Sequence, residues 1–278
     1  MRIFLTTDIA EFHAEAETFL LRDPLRHTVI TGAVANAAEP MHLLSVRSGG
    51  EVVGVAMRAP GYHIYLGQLP PASVPAVAEA LIDAVPDSDG VEGTTDLATL
   101  FAQRWCALSG QQYHWSYAHL LYRLGDLRIP PVAGNPRPAT DIDTELCSDW
   151  IDAMRAETGM PPPALTPERI RHRIAAGSWW LWEHGGQPVS FAAHQLPTQG
   201  WSRIGPVYTP PDARGHGYAS ALTAHIGRML RDGDIEVCLF ADVANPTSNK
   251  IYRAIGFEPT YEFVRYGFSP TAALSSTS

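Results

Sequence analysis

Two stretches in the second half of the chain carry residues that can do chemistry together. Residues 206–219 read PVYTPPDARGHGYA: β-formers, a double proline, an arginine, and glycines at 215 and 217, followed by the helical run SALTAHIGRML. Glycine lets a chain turn tightly and lets a ligand approach the main chain. A helix starting there leaves its first N–H groups without intrahelical partners, and its dipole adds positive charge at the same end. Such a terminus suits phosphate, and Arg214 adds charge at the rim. The missing Gly-Lys-Ser/Thr ending excludes a Walker loop, and Ser220 stands where a Rossmann fingerprint needs its third glycine. On this stretch alone, a phosphate cradle and a plain glycine turn remain equal readings. The second stretch is N-x-x-x-N-x-x-Y-x-x-x-G-F, with Asn245, Asn249, Tyr252, Gly256 and Phe257. Asn249 and Tyr252 are three apart and share a face if the segment is helical.

A phosphate-type loop followed, after one strand, by an Asn/Tyr helix face resembles the GNAT superfamily of N-acetyltransferases over residues 140–268. Gly215 and Gly217 match the glycines of the family's Gln/Arg-x-x-Gly-x-Gly/Ala loop, while Asp212 sits where Gln or Arg is usual. The resemblance implies acetyl-CoA as co-substrate. It assigns the pyrophosphate to Arg214, Gly215, His216, Gly217, Tyr218 and Ala219, and the pantetheine arm to the backbone of Val207, Tyr208 and Thr209. It places Asn245 and Asn249 at cofactor contacts and Tyr252 at the general-acid position. The implied reaction is direct attack of a primary amine, on a small molecule or a peptide, with no covalent enzyme intermediate. A longer or dicarboxylic acyl-CoA, or a non-catalytic acyl-CoA-binding module, are the alternative readings. The family's glutamate base has no counterpart near Trp201 and Ser202. Its substitutes are His194, Glu183, Asp242 or a water chain.

These residues need elements to hold them. From residue 143 the order reads α, α, β, β, β, α, β, α, β. Thr166, Pro167 and Gly177 bound one helix, His184-Gly185-Gly186 turns a hairpin, EVCLFADV is a buried strand, and Gly256 closes the last helix. The first half runs in almost the same order. It has a strand, helix to about residue 38, a Gly-Gly hairpin, a strand ending at a double proline, a helix, a short helix closed by Gly110 and a last strand. Such order over more than a hundred residues points to a duplicated domain. The matching loop, LGQLPPASVPAVAEAL, has no glycine pair, and prolines at 70, 71 and 75 remove donors. The expected fold is α/β (α+β): two GNAT-like domains, each a mixed, mostly antiparallel sheet flanked by helices. The division is a degenerate domain at 1–128, a Pro/Gly-rich linker at 129–139, an acetyl-CoA-binding domain at 140–268 and a disordered tail at 269–278. Trp179, Trp180 and Trp182 on one strand read as core packing before pocket lining.

Composition limits the partners. The chain has 278 residues, a formal net charge of −9 and 45% hydrophobic residues. The acidic balance argues against nucleic acid, and no apolar run is long enough to span a membrane. Three scattered cysteines and the absence of a signal-peptide pattern lead to an expected cytoplasmic location without disulfides. No metal cluster is expected from the scattered histidines.

Overall fold

The computed structural model describes residues 1–37, 39–159 and 166–270. Its elements begin and end where apolar spacing changes period or where Gly, Pro or a capping side chain interrupts it. In chain order they are β1 (Arg2–Thr6), α1 (Ile9–Leu20), α2 (Thr28–Ala35), β2 (His42–Ser48), β3 (Glu51–Arg58), β4 (Ile64–Leu66), α3 (Val74–Ala84), β5 (Gly90–Thr94), α4 (Thr95–Ser109) and β6 (Gln111–Leu124). Then follow β7 (Asn135–Pro138), α5 (Thr144–Thr158), α6 (Pro167–Ala175), β8 (Trp179–His184), β9 (Gln187–His194), β10 (Trp201–Tyr208), α7 (Tyr218–Asp232), β11 (Glu236–Asp242), α8 (Pro246–Ala254) and β12 (Phe257–Pro270). The order strand, two helices, three strands, helix, strand, helix, strand therefore occurs twice. Thr166 caps α6 by accepting from the Arg169 amide, with Pro167 in the first turn.

The segment expected as a linker contains the first strand of the second copy. Asn135–Pro138 pairs antiparallel with β8. Its prolines fit because β7 is an edge strand, where a missing N–H costs no ladder bond. The chain folds into two units. One holds residues 1–120, 242–244 and the described residues from Tyr261 on; the other holds 121–241 and 245–260. The units thus depart from a cut at residues 129–139: the end of β6 belongs to the second unit, and most of β12 to the first. Ser269 and Pro270 close β12, while the rest of the expected tail lies outside the described residues.

In the first unit β1, β2, β3 and β4 pair antiparallel, β4 pairs parallel with β5, and β5 pairs antiparallel with β12. Its core places Ile64, Leu66, Leu81, Phe101 and Trp105 in one buried cluster between sheet and helices. In the second unit β7, β8, β9 and β10 pair antiparallel, and β10 pairs parallel with β11. Its core joins Ile151, Ile170, Trp179, Phe191 and Tyr208. Both units are mixed, mostly antiparallel sheets flanked by helices. The tryptophan run packs: Trp179 stacks on Phe191 at 5.3 Å, Trp180 meets His225 edge-on, and the Trp182 indole N–H donates to the Ala133 carbonyl.

Candidate functional site

The site begins where β10 parts from β11. The parallel pairs run from Trp201↔Glu236 to Ile204↔Leu239, and the described pairing stops there. A bulge between Ile204 and Val207 interrupts the β9 side, and beyond it Val207 and Tyr208 pair with Ala192 and Phe191. Gly205 there adopts φ 147°, and Pro206 has no N–H to give a ladder. The last residues of β10 are held on the β9 edge only, which leaves the other edge of Val207 and Tyr208 to hydrogen-bond a ligand. Ser190 fixes this strand end: its hydroxyl donates to the Tyr208 carbonyl at 2.9 Å and meets the Thr209 hydroxyl at 2.9 Å.

After Thr209, a short helical turn at Pro211–Ala213 leads into the glycine loop. Gly215 and Gly217 hold φ values of 83° and 81°, the left-handed region that glycine enters without cost. Gly217 is the N-cap of α7, and no side chain caps the helix. The amides of Tyr218 and Ala219 therefore open the helix with the dipole's positive end behind them. A Cβ at Gly215 would meet open space, whereas one at Gly217 would come within 3.1 Å of Val132. His216 stacks on Tyr218 at 5.4 Å and 12°, and His184 lies 5.6 Å from the same ring. The loop carries its own aromatic stack, and among the described residues the amides of 215–219 make no hydrogen bond within the protein, which suits a pyrophosphate.

Arg214 is engaged by the protein. Its Nε donates to the Thr209 carbonyl at 2.9 Å, and its Nη2 donates to Glu157 at 2.6 Å. The other Glu157 oxygen accepts from the Tyr208 hydroxyl at 2.9 Å. The Arg214 bond, then the Tyr208 bond, hold the Glu157 carboxyl below its ordinary range. Glu157 at the end of α5 thereby ties the loop to β10. Nothing in the sequence marks it, because an acid near a helix C-terminus is an ordinary surface residue.

The helix α8 places Tyr252. Asn245 caps it, its side-chain oxygen accepting from the Ser248 amide at 3.0 Å. Asn249 is buried; its Nδ2 donates to the Asn245 carbonyl at 2.7 Å and its Oδ1 accepts from the Tyr122 hydroxyl at 2.7 Å. Both asparagines, expected at cofactor contacts, also hold α8: Asn245 from the exposed N-terminus of the helix and Asn249 from its buried face. The cause is the fourth-residue spacing that puts the Asn249 amide back over the cap. Gly256, expected only as a helix stop, has a second duty. At φ 103° a Cβ would lie 2.0 Å from the Asp126 carbonyl, and residues 125 and 128 donate to the Gly256 and Ile255 carbonyls. Tyr252 itself is half-buried between Tyr122 at 6.3 Å and Phe257 at 6.1 Å. Burial pushes its phenol up to about 12, so it stays protonated at neutral pH.

The base candidates separate. Glu183 accepts from Arg137 Nε at 2.7 Å, and Asp242 accepts from the Ala244 amide at 2.8 Å. His194 lies opposite Ile204, at the point where β10 leaves β11. Its Nδ1 faces the Gln195 carbonyl at 2.9 Å, which can only accept, so Nε2 is the unprotonated nitrogen of the neutral ring. Burial lowers the imidazole's pKa and favours that neutral form. Among the described residues, no group of three or more His, Cys, Asp or Glu is placed to hold a metal ion. No helix among them is long and apolar enough to cross a membrane.

Residues 184–266 match the family model "FR47-like protein". Among curated proteins no sequence matches the chain. An acetyltransferase from the GNAT family of Colwellia psychrerythraea superposes with a TM-score of 0.64 at 12% identity, covering 97% of this chain and 100% of its own. A GCN5-related N-acetyltransferase from Sphaerobacter thermophilus gives 0.63 at 17% identity, with 95% of each chain covered. A tandem GNAT protein from the clavulanic acid biosynthesis pathway gives 0.54 at 15% identity, covering 96% of this chain and 98% of its own. With the element order present twice and the FR47-like match confined to the second copy, the chain is a tandem protein of the GNAT fold.

Proposed function

We propose that the second unit is an N-acyltransferase that moves an acetyl group from acetyl-CoA to a primary amine. The observation that carries this is the junction at Ile204. There β10 leaves β11, keeps a free edge to Tyr208, and runs into an uncapped helix start behind two left-handed glycines. The free edge suits the amides of a pantetheine arm, and the helix start suits a pyrophosphate. The neutral amine attacks the thioester carbonyl, the new N–C bond forms as the carbonyl π electrons move to oxygen, and a main-chain amide of β10 stabilises that oxyanion. The C–S bond then breaks, and the Tyr252 hydroxyl gives its proton to the leaving sulfur. The amine's own proton leaves to a base, a role that fits the neutral ring of His194.

The test is acetyl transfer from acetyl-CoA across a panel of small amines and peptides, with propionyl- and succinyl-CoA alongside. Transfer that falls sharply in Tyr252→Phe supports the assignment. Acetyl-CoA binding with no transfer to any amine would make the unit an acyl-CoA-binding module. A preference for a longer acyl-CoA would change the donor and keep the mechanism. A pH–rate profile unaltered by His194→Gln would remove that residue from the base role.

A further inference from the structure

One guanidinium in the second unit carries a charge that the protein leaves unmet. Arg203 lies on β10, immediately before Ile204, and is half-buried. Its Nη1 is buried with no hydrogen-bond acceptor. Among the described residues no carboxylate forms an ion pair with it. Other arginines of this unit are met. Glu236 on the adjacent strand takes Arg123 at 3.4 Å and Arg231 at 3.7 Å, and Arg137 bonds both Asp143 and Glu183 at 2.7 Å. A buried donor on a charged group is costly to leave unmet, and an anion brought by a ligand removes that cost.

The surroundings of Arg203 place that anion. Arg203 pairs with Cys238, so strand alternation puts Phe240 on the same side of the sheet. The guanidinium carbon lies 5.8 Å from the centre of the Phe240 ring, which steadies a cation without offering it an acceptor oxygen. The Arg203 carbonyl accepts from the Gln195 amide at 2.9 Å, which fixes the main chain at this point. The described β10–β11 pairing ends at the next residue, Ile204, and a Cβ at Gly205 would meet nothing within 4 Å. Open space therefore lies two residues along the strand from Arg203, about 7 Å away. The acyl-transfer reading puts the thioester on this same free edge beyond Ile204. An anion on Arg203 and an amine at the thioester are then separated by a few bonds. A lone guanidinium matches the single charge and paired oxygens of a carboxylate.

We infer that the amine acceptor is a short amino acid, with its carboxylate on Arg203 Nη1 and its amine in the opening beyond Ile204. The place of the amine rests on the acyl-transfer reading; the place of the carboxylate rests on Arg203. The experiment is isothermal titration of the full chain with glycine, β-alanine and 4-aminobutyrate, each beside its primary amide. The amide keeps the amine and removes the negative charge. At least one acid should bind about tenfold or more tighter than its amide. Arg203→Met, which keeps the apolar stem, should bind the two alike, and Arg203→Lys should retain part of the preference. No acid preference in the wild-type chain, or an undiminished preference in Arg203→Met, overturns the inference. Steady-state transfer from acetyl-CoA should show the same preference in kcat/KM. An acid that is preferred in binding but never acetylated counts against the acyl-transfer reading and leaves the carboxylate site standing.

Discussion

The two units place a loop at the same point, after the third strand of the run that leads into a helix, and use it in opposite ways. After β4 in the first unit, the main chain is consumed. The Gly67 amide donates to the Val55 carbonyl, the Gln68 amide donates to His27 Nε2, and the Val55 amide donates to the Gln68 carbonyl. Pro70, Pro71 and Pro75 offer no amides at all. Gly67 is there because the packing leaves no room, since a Cβ would sit 2.7 Å from Val55 and 2.9 Å from Ile30. After β10 in the second unit, Gly215 faces open space, Gly217 starts an uncapped helix, and the strand edge beyond Ile204 is free. At the same point the first unit bonds its loop amides within the protein and the second leaves the amides of 215–219 without such bonds among the described residues, and that difference supports the proposed ligand loop.

Substitutions at the two glycines should break this comparison most visibly. Gly217→Val forces a branched residue into a φ of 81°, beside Val132, and should abolish acetyl-CoA binding while costing about 1–2 kcal/mol of stability. Gly67→Ala overpacks the first unit by about 1–3 kcal/mol and should leave acetyl-CoA affinity untouched. Calorimetric titration and denaturant unfolding separate the two outcomes. Next in size, Tyr252→Phe should lower kcat by roughly a hundredfold or more with the KM for acetyl-CoA unchanged, read from steady-state kinetics.

The His27 anchor gives a pH test of the consumed loop. It is fully buried, and burial, opposed by its bonds to Leu20 and the nearby Asp23, lowers its pKa from the ordinary 6.5. The unfolded chain therefore takes up a proton that the folded unit refuses. The stability this group provides is complete above that pH and falls as the pH drops below it. Denaturant midpoints measured from pH 8 to pH 5 should decline, and the decline should be shallower in His27→Gln. Smaller still, Tyr122→Phe removes the donor to Asn249 and should cost about 1–2 kcal/mol. Asp212 is exposed, so Asp212→Gln should leave acetyl-CoA affinity unchanged. A gain in affinity would show that its charge repels the phosphates.

Much of this fold is legible in the chain. Thr166 and Pro167 announce α6, the Gly-Gly turns announce the hairpins, and the apolar run EVCLFADV announces β11. Three pieces hide for identifiable reasons. β5 escapes because Gly90 and Gly93 look like breakers, whereas a Cβ at Gly90 would lie 2.3 Å from the Tyr266 carbonyl and one at Gly93 3.0 Å from Leu66. β7 escapes because an edge strand tolerates the prolines that spell a linker. The crossing of β6 and β12 between units leaves no local trace, because strand partners far apart in sequence are chosen by the sheet. At the site, the glycines, Tyr208 and Tyr252 are readable as motif. The roles of Glu157 and Tyr122, and the bond between Tyr122 and the buried Asn249, arise only from side chains meeting in three dimensions.

The contrast between the two loops is tested most directly by the stoichiometry of acetyl-CoA binding. Isothermal titration of the full chain should give one site per chain, and Gly217→Val should lose it. Two sites per chain, or undiminished binding in Gly217→Val, would contradict the assignment of acyl-CoA to the second unit alone.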